Sequence, residues 1–438
     1  MDLTGYFHPY SLGYSITELL SINRPLYITI NSNYLTIDNI NRFILGIDEF
    51  RLPSNKIPYF SYLKAGGFGF HIEDSINSYF GEFLERISLY IPDLNNVEVF
   101  TEKFLESKGY NVVKIKDLVN SKHAIFIRGD IVDYNTIREV EIPYIRGKSF
   151  PLGDTIYIPV YSVYFNHNFI EKKINKSILK FINFLTTSNG VAAGPSLEFA
   201  LSRSILEIIE RHDFIMLWLT SSALEPIGIY KLPDLTLYVG KYTTLRGDYN
   251  SIFTIFLRKK EPMFGIGGAT DYNIERSIIR SIKEGLAGYH ALLSYYKNFY
   301  NKIDINKLKK FNNFDNNVVY YSLSNGYSEI RHIIDNILIK FSSISSRYYL
   351  DLIDLIEENS RYESNYSIYY IEKLIKANNL TFIITEIPSI IKGIKIYRAL
   401  SLELLPLPIP EYTWYLADHK FIIENKINVS NTLPHPYP

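Results

Sequence analysis

Residues 82 to 86 read Glu-Phe-Leu-Glu-Arg and residues 207 to 211 read Glu-Ile-Ile-Glu-Arg, so one E-x-x-E-R signature occurs twice. On a helix the two carboxylates of each signature share a face, and the arginine lies one turn from the first glutamate. Paired carboxylates of this kind can hold magnesium, which prefers oxygen ligands and completes its shell with water and substrate phosphates. The same spacing also suits a solvated helix face stitched by charge pairs. Two features weigh against that plainer reading: each signature lies in a strongly apolar run, and each follows a glycine-rich stretch.

The elements that must position these residues recur along the chain. The segments "KAGGFGFHIEDSINSYFGEFLERISLY", "SNGVAAGPSLEFALSRSILEIIERHDFIMLW" and "GIGGATDYNIERSIIRSIKEGLAGYHALL" each read as a glycine-rich loop, a short polar turn and an amphipathic helix with acidic residues. Glycine permits tight turns and close backbone approach, and a helix start offers unpaired N–H groups and a positive dipole end suited to anions. Before these units "PLYITI" reads as a β-like run; between and after them "HAIFIRGDIVDY" and "DTIYIPVYSVYF" read as strands, and "YYIEKLIKANNLTFIITEI" with "GIKIYRALSLELL" as a helix followed by strands. "KIDINKLKKFNNFDNNVV" reads as a polar surface insertion with a helical piece. The expected fold is α+β, with repeated glycine-rich loop-helix units around a mostly antiparallel sheet.

Composition narrows the function class. Lys plus Arg number 46 and Asp plus Glu number 46, which removes the broad attraction that nucleic-acid and polybasic membrane partners need. The absence of cysteine excludes disulfides, thiolate zinc sites and a cysteine nucleophile, so any sulfur chemistry must use a substrate's sulfur. The longest apolar run, "FIMLWL", is too short to span a bilayer, and the first residues lack a signal-peptide pattern, which makes a cytoplasmic protein the expectation. No P-loop, H-E-x-x-H pair or G-x-S-x-G elbow occurs. The chain closes on "TLPHPYP", whose alternating prolines enforce an extended end.

Taken together, "SYFGEFLERIS", the second and third glycine-rich units and the terminal "PHPYP" resemble the YcaO family in content and order, from about Lys64 to the C-terminus. These are ATP-dependent enzymes that activate backbone amides, making azolines or thioamides in peptides and proteins. The resemblance implies a YcaO-like ATP-binding domain over residues 64–438 after an accessory N-terminal region, 1–63. It assigns Ser78, Glu82 and Glu85 to a first ATP–magnesium helix, Glu207, Glu210 and Arg211 to a second, and Arg280 and Glu284 to a third. Glu82, Glu85, Glu207, Glu210 and Glu284 are thereby the magnesium ligands, Arg211 and Arg280 stabilise phosphate charge, and the prolines deliver Pro438 beside the reaction.

Three positions depart from the family pattern: Pro195 stands where an asparagine is usual, Phe199 where a metal-binding glutamate is expected, with Glu198 one place early, and Ala287 where a glutamine is expected. Either Glu198 substitutes through a local shift, or ATP is bound differently, or activity has been lost. The resemblance implies a peptide or protein substrate, a partner protein that delivers substrate or sulfur, and a homodimer as one assembly it admits. Azoline formation leads, on the P-x-P-x-P end. Thioamide formation and a non-catalytic nucleotide-binding scaffold subunit are the alternatives.

Overall fold

The computed structural model describes residues 14–21, 24–31, 65–90, 92–119, 125–127, 130–132, 134–165, 187–232, 234–299, 303–311, 314–348 and 366–437. Its contacts form two compact units, Met1–Tyr90 with Ser389–Lys392, and Ile91–Pro388 with Gly393–Pro438.

In the first unit, strands β1 (Tyr14–Ser21), β2 (Arg24–Asn31) and β3 (Gly66–Gly69) form an antiparallel sheet with β2 in the middle, Tyr14 opposite Asn31 and Tyr27 opposite Gly69. Two residues later, helix α1 (Ile72–Tyr90) begins. Its buried residues Tyr79, Phe80, Phe83, Leu84 and Ile87 recur at helical spacing and make one apolar stripe. A Cβ on Gly67 would collide with Ser75 O and Tyr79 N, so the absence of a side chain there lets α1 lie directly on β3. Ser75 Oγ donates to Gly67 O at 3.0 Å across the same approach.

The second unit starts with β4 (Glu98–Thr101), the hairpin β5 (Ile125–Ile127) and β6 (Asp130–Val132), then β7 (Glu141–Phe150), β8 (Thr155–Pro159) and β9 (Val191–Gly194). Helix α2 (Leu197–Thr220) leads into the meander β10 (Glu225–Lys231), β11 (Thr236–Lys241), β12 (Asn250–Leu257) and β13 (Phe264–Asp271), followed by helix α3 (Ile274–Phe299). The short β14 (Arg347–Tyr348), helix α4 (Ile368–Ala377), β15 (Phe382–Ile387) and β16 (Lys395–Ser401) follow. One sheet has the order β4-β7-β15-β16-β9 with β8 on β7, and the other β13-β12-β11-β10-β14. Pairing between these strands is antiparallel except where β14 joins β10.

Helix α2 packs against β16 and β9 of one sheet and β13 of the other. Its burial follows from sequence: sixteen of its 24 residues are buried, because apolar side chains occupy most of its circumference. Ser196 caps its start by accepting from Phe199 N at 3.2 Å, and Ser221 ends it in the left-handed conformation at φ 48°. Helix α3 packs on β13 and β12. A Cβ on Gly267 would collide with Gly285 N, which is why the helix can approach β13 so closely.

Two expectations change. The stretch Asp154–Phe165 is not one strand: β8 stops at Pro159, which has no N–H to extend a ladder, and Val160–Ser162 turns as a 3-10 helix. The end of the polar Lys/Asn insertion is not surface loop either. Phe314–Ser322 is a helix whose Asn317, Tyr320 and Tyr321 are fully buried, with Asn317 Nδ2 donating to His435 O of the C-terminal tail. No helix among the described residues is long and apolar enough to cross a membrane.

Candidate active site

Each glycine-rich segment is itself a strand, and each hands over within two residues to a helix: β3 to α1, β9 to α2 and β13 to α3. Within the first unit, Glu82 is half-buried, accepts from Gly66 N at 2.7 Å and pairs with Arg86. Glu85 is half-buried beside it, while Ser78 is exposed.

The second unit brings α2, β13, α3 and the C-terminal tail together around Arg211. Arg211 Nη2 lies 3.5 Å from Glu207 Oε1, and Nη1 lies 3.3 Å from Glu210 Oε1. Its guanidinium also sits 4.6 Å above the ring of Tyr437. Glu210 is buried and held from two more sides: Thr270 N donates to Oε2 and Tyr437 OH to Oε1, each at 3.0 Å. Burial, then the negative charge of Glu210, push the Tyr437 hydroxyl well above its ordinary pKa, so it stays a donor. A Cβ on Gly268 would strike that hydroxyl, so the glycine makes room for the tail.

Glu284 of α3 faces the same group. Burial first, and Glu210 second, raise its carboxyl above the ordinary value of 4.5, against the opposing effects of Arg211 and Arg203. Burial likewise raises Glu207, opposed by Arg211. Because the native state binds the Glu284 proton more tightly than the unfolded chain does, the associated stability is present at low pH and lost as pH rises above 4.5 toward neutrality. The ligand-free protein is therefore expected to melt lower at about pH 8 than at about pH 5, and Glu284→Gln, which mimics the protonated form, should flatten that decline by a few degrees. Parallel melting curves for the two proteins across this range would refute the assignment.

At the far end of β13 a second cluster forms. Asp271 is fully buried, with Arg276 Nη2 at 3.0 Å, Arg280 Nη1 at 3.8 Å and Tyr366 OH donating at 2.8 Å. Arg203 Nη1 donates to Thr270 O at 3.2 Å, and the N–H of Thr270 donates to Glu210. Deeper still, buried Asp213 accepts from Ser251 Oγ at 2.6 Å, and Ser251 bonds Thr270 Oγ1 at 2.7 Å. Burial pushes Asp213 up to about 7 despite these donors.

The second unit thus joins Glu207, Glu210, Arg211 and Glu284, and sets Arg280 at the adjoining cluster. Glu198 is exposed on the first turn of α2, and Phe199 takes the inward position, with its ring 4.9 Å from that of Tyr366 and filling the space over Gly194. Pro438 lies outside the described residues. The tail leading to it is anchored: Trp218 Nε1 donates to Leu433 O at 2.8 Å, and His435 and Tyr437 are buried. His435 is held neutral chiefly by burial; its Nδ1 accepts from Tyr437 N and its Nε2–H donates to Pro408 O. Arg203, Asp271, Arg276 and Tyr437 lie inside the quoted segments but carry no role in the sequence reading, and Tyr366 lies outside those segments.

Among the described residues no three acidic or histidine side chains form a ready metal cage. The donor set nevertheless suits magnesium with a nucleotide, because that ion is commonly held by one or two carboxylates with phosphates and water supplying the rest. Matching donors for phosphate stand alongside: Arg211 Nε and Arg276 Nε are buried without hydrogen-bond acceptors among the described residues, and Arg280 Nη1 has only a long ion pair to Asp271 at 3.8 Å.

The model of a family described as YcaO cyclodehydratase, ATP- and Mg2+-binding, matches residues 66–347. The chain belongs to the YcaO family. ATP and magnesium are the ligands of that family's domain, in agreement with the carboxylates and arginines gathered here. No curated protein matches the chain. Among solved structures, this YcaO protein is similar to a heterocyclase in complex with substrate and cofactor, at 12% identity and a TM-score of 0.57, over 90% of this chain and 50% of that one. It therefore spans half the length of that heterocyclase. It is also similar to a chain of the E. coli microcin synthetase McbBCD complex, at 14% identity and TM-score 0.58, covering 89% and 88% of the two chains. YcaO from Methanopyrus kandleri, bound with AMPPCP and Mg2+, is similar at 11% identity and TM-score 0.52, covering 97% and 91%. Likeness at these identities shows a shared fold.

Proposed function

We propose that this YcaO protein catalyses ATP- and magnesium-dependent activation of a backbone amide in a peptide or protein substrate, leading to an azoline. One observation carries the reading: Arg211 stands between Glu207 and Glu210 and faces Glu284, with its buried Nε–H left to take an acceptor. ATP with magnesium supplies the phosphoryl group that turns the amide oxygen into a leaving group. The chain's own task is alignment and charge neutralisation.

In this reading Glu207, Glu210 and Glu284 hold magnesium, and the fixed donors Thr270 N and Tyr437 OH keep Glu210 oriented. Arg211 and Arg280 meet phosphate charge with N–H groups already in place, which costs little reorganisation when charge moves. Ser78, Glu82, Glu85 and Glu198 are assigned to the nucleotide and Pro438 to the reacting end of the tail, all on the family resemblance. A substrate-delivering partner protein fits the same reading, as the microcin synthetase is itself a complex.

A second reading, a non-catalytic nucleotide-binding subunit, draws support from Phe199: an aromatic ring, not a carboxylate, faces inward there. Calorimetry with magnesium-ATP on the wild type, Glu82→Ala and Glu207→Ala separates the readings when followed by an ATPase assay and mass spectrometry of candidate peptides. The expected outcome is ATP binding weakened in both variants and a peptide product lighter by one water. Absence of ATP binding by wild type sinks both readings; binding without turnover, with partners supplied, selects the scaffold. A sulfur-for-oxygen exchange in the product selects thioamide formation.

A further inference from the structure

We propose that the cavity between Arg211 and Arg398 is a small-oxyanion site that takes inorganic phosphate. The cavity, of about 90 Å³, lies beneath the Leu404–Ile409 segment, with Ile208 of α2 and Leu400 of β16 in its wall. Arg398, on β16, is only 2% exposed and lines the cavity together with Arg211. Its Nη1 donates to Thr187 O at 2.8 Å, whereas its Nε–H has no hydrogen-bond acceptor among the described residues. Arg211 brings one more such N–H group, Nε, while its Nη1 lies 3.3 Å from Glu210 Oε1.

Charge sharpens the point. Among the described residues no carboxylate comes within ion-pair distance of Arg398, and the nearest opposing influence is Glu207, which already pairs with Arg211. A buried guanidinium without a counter-ion is costly, so this wall favours an anion. The lining favours it too, because Leu404, Leu405 and Leu407 make much of the wall apolar and an ion pair formed there is weakly screened.

Size selects among anions. At about 90 Å³ the cavity has room for a few waters, whereas pockets for drug-sized ligands run to roughly 300–1,000 Å³. A nucleoside does not fit, and a group of the size of phosphate does. Two arginines lining one largely apolar cavity can both offer charge-assisted hydrogen bonds to such an oxyanion. The site itself stands on this geometry, while its role as a holding place for released phosphate rests on the amide activation proposed above, since Arg211 belongs to both.

The test is calorimetric titration of inorganic phosphate into the full chain, ligand-free and saturated with magnesium-ADP, for wild type and Arg398→Met. Wild type should bind phosphate in both states, and Arg398→Met should bind it about tenfold more weakly or worse, as loss of a charged hydrogen bond implies, with ADP affinity unchanged. Phosphate should also slow hydrogen exchange at the Leu404–Ile409 amides of wild type, a reading that stands even where Arg398→Met does not fold. Equal phosphate affinity in wild type and variant, displacement of phosphate by ADP, or unchanged exchange at Leu404–Ile409 would overturn the proposal. Failure of ATP turnover with phosphate binding intact would instead count against the amide-activation reading alone.

Discussion

Arg211→Met is expected to lower ATP-dependent turnover by about 10³-fold, the scale on which removal of an arginine that meets transferring phosphate is felt. The reason lies in how many neighbours depend on this side chain. It pairs with Glu207 and Glu210 and lies over the Tyr437 ring, so it both offers N–H groups to phosphate and keeps two carboxylates apart from a third at Glu284. Without it, Glu207 and Glu284 lose the main influence that lowers their pKa values, and both hold their protons to higher pH. Magnesium must then compete with those protons, so nucleotide affinity should fall alongside the rate and recover partly as pH rises. Arg211→Lys is not expected to rescue turnover, because an ammonium cannot present two fixed N–H groups while lying flat on Tyr437. Steady-state ATPase rates and calorimetry at two pH values measure both effects; turnover within tenfold of wild type in Arg211→Met would remove this residue from the chemistry.

The carboxylates of this site were legible in the sequence because helical spacing alone puts Glu207, Glu210 and Arg211 on one side of α2, and the apolar residues around them require a packed helix. Glu284 on α3 came instead from the family resemblance, since its helix repeats no E-x-x-E-R spacing. What spacing cannot reveal is which distant chain segments close on that face. Thr270 reaches Glu210 from sixty residues away and Tyr437 from 227, and although both lie in segments the sequence singles out, nothing local says that they meet Glu210. Arg398 lies within "GIKIYRALSLELL", which reads only as a strand; its burial and its unmatched Nε–H show it to be more.

The glycine-rich segments failed differently. Glycine is a weak strand former, so "GGFG", "VAAG" and "FGIGGATD" read as loops; yet each pairs in a sheet, since an adjoining helix leaves no space for side chains at Gly67 and Gly267. Phe199 shows the reverse case. Its place on the inner face of α2 follows from helical phase, and Glu198, one residue earlier, is turned outward by that same phase.

Removal of Pro434–Pro438 is expected to abolish turnover and to lower the melting temperature by a few degrees. The anchors before the cut survive, with Ser430 N and Asn431 N donating to Leu219 O and Trp218 Nε1 to Leu433 O. Lost are the buried His435, whose N–H bonds Thr413 Oγ1 and whose ring bonds Pro408 O, and the Tyr437 ring packed 4.3 Å from Phe214. Uncovering Phe214 and deleting a buried aromatic together cost on the order of 2–4 kcal/mol, a loss that a protein with so large a remaining core can bear. The truncation also strips Glu210 of its hydroxyl donor and Arg211 of its aromatic support, so magnesium-ATP should bind more weakly as well as turn over poorly. Tyr437→Phe separates these contributions. It keeps the ring against Phe214 and Arg211 and deletes only the bond to Glu210, worth about 1 kcal/mol, so it should melt near wild type and retain most nucleotide affinity. Scanning calorimetry and single-turnover assays on both proteins carry the decision. Wild-type turnover in the truncated chain would dismiss any role for the tail. An inactive truncation beside a fully active Tyr437→Phe would assign the effect to the chain end itself, because the contact that orients Glu210 would then have been removed without consequence.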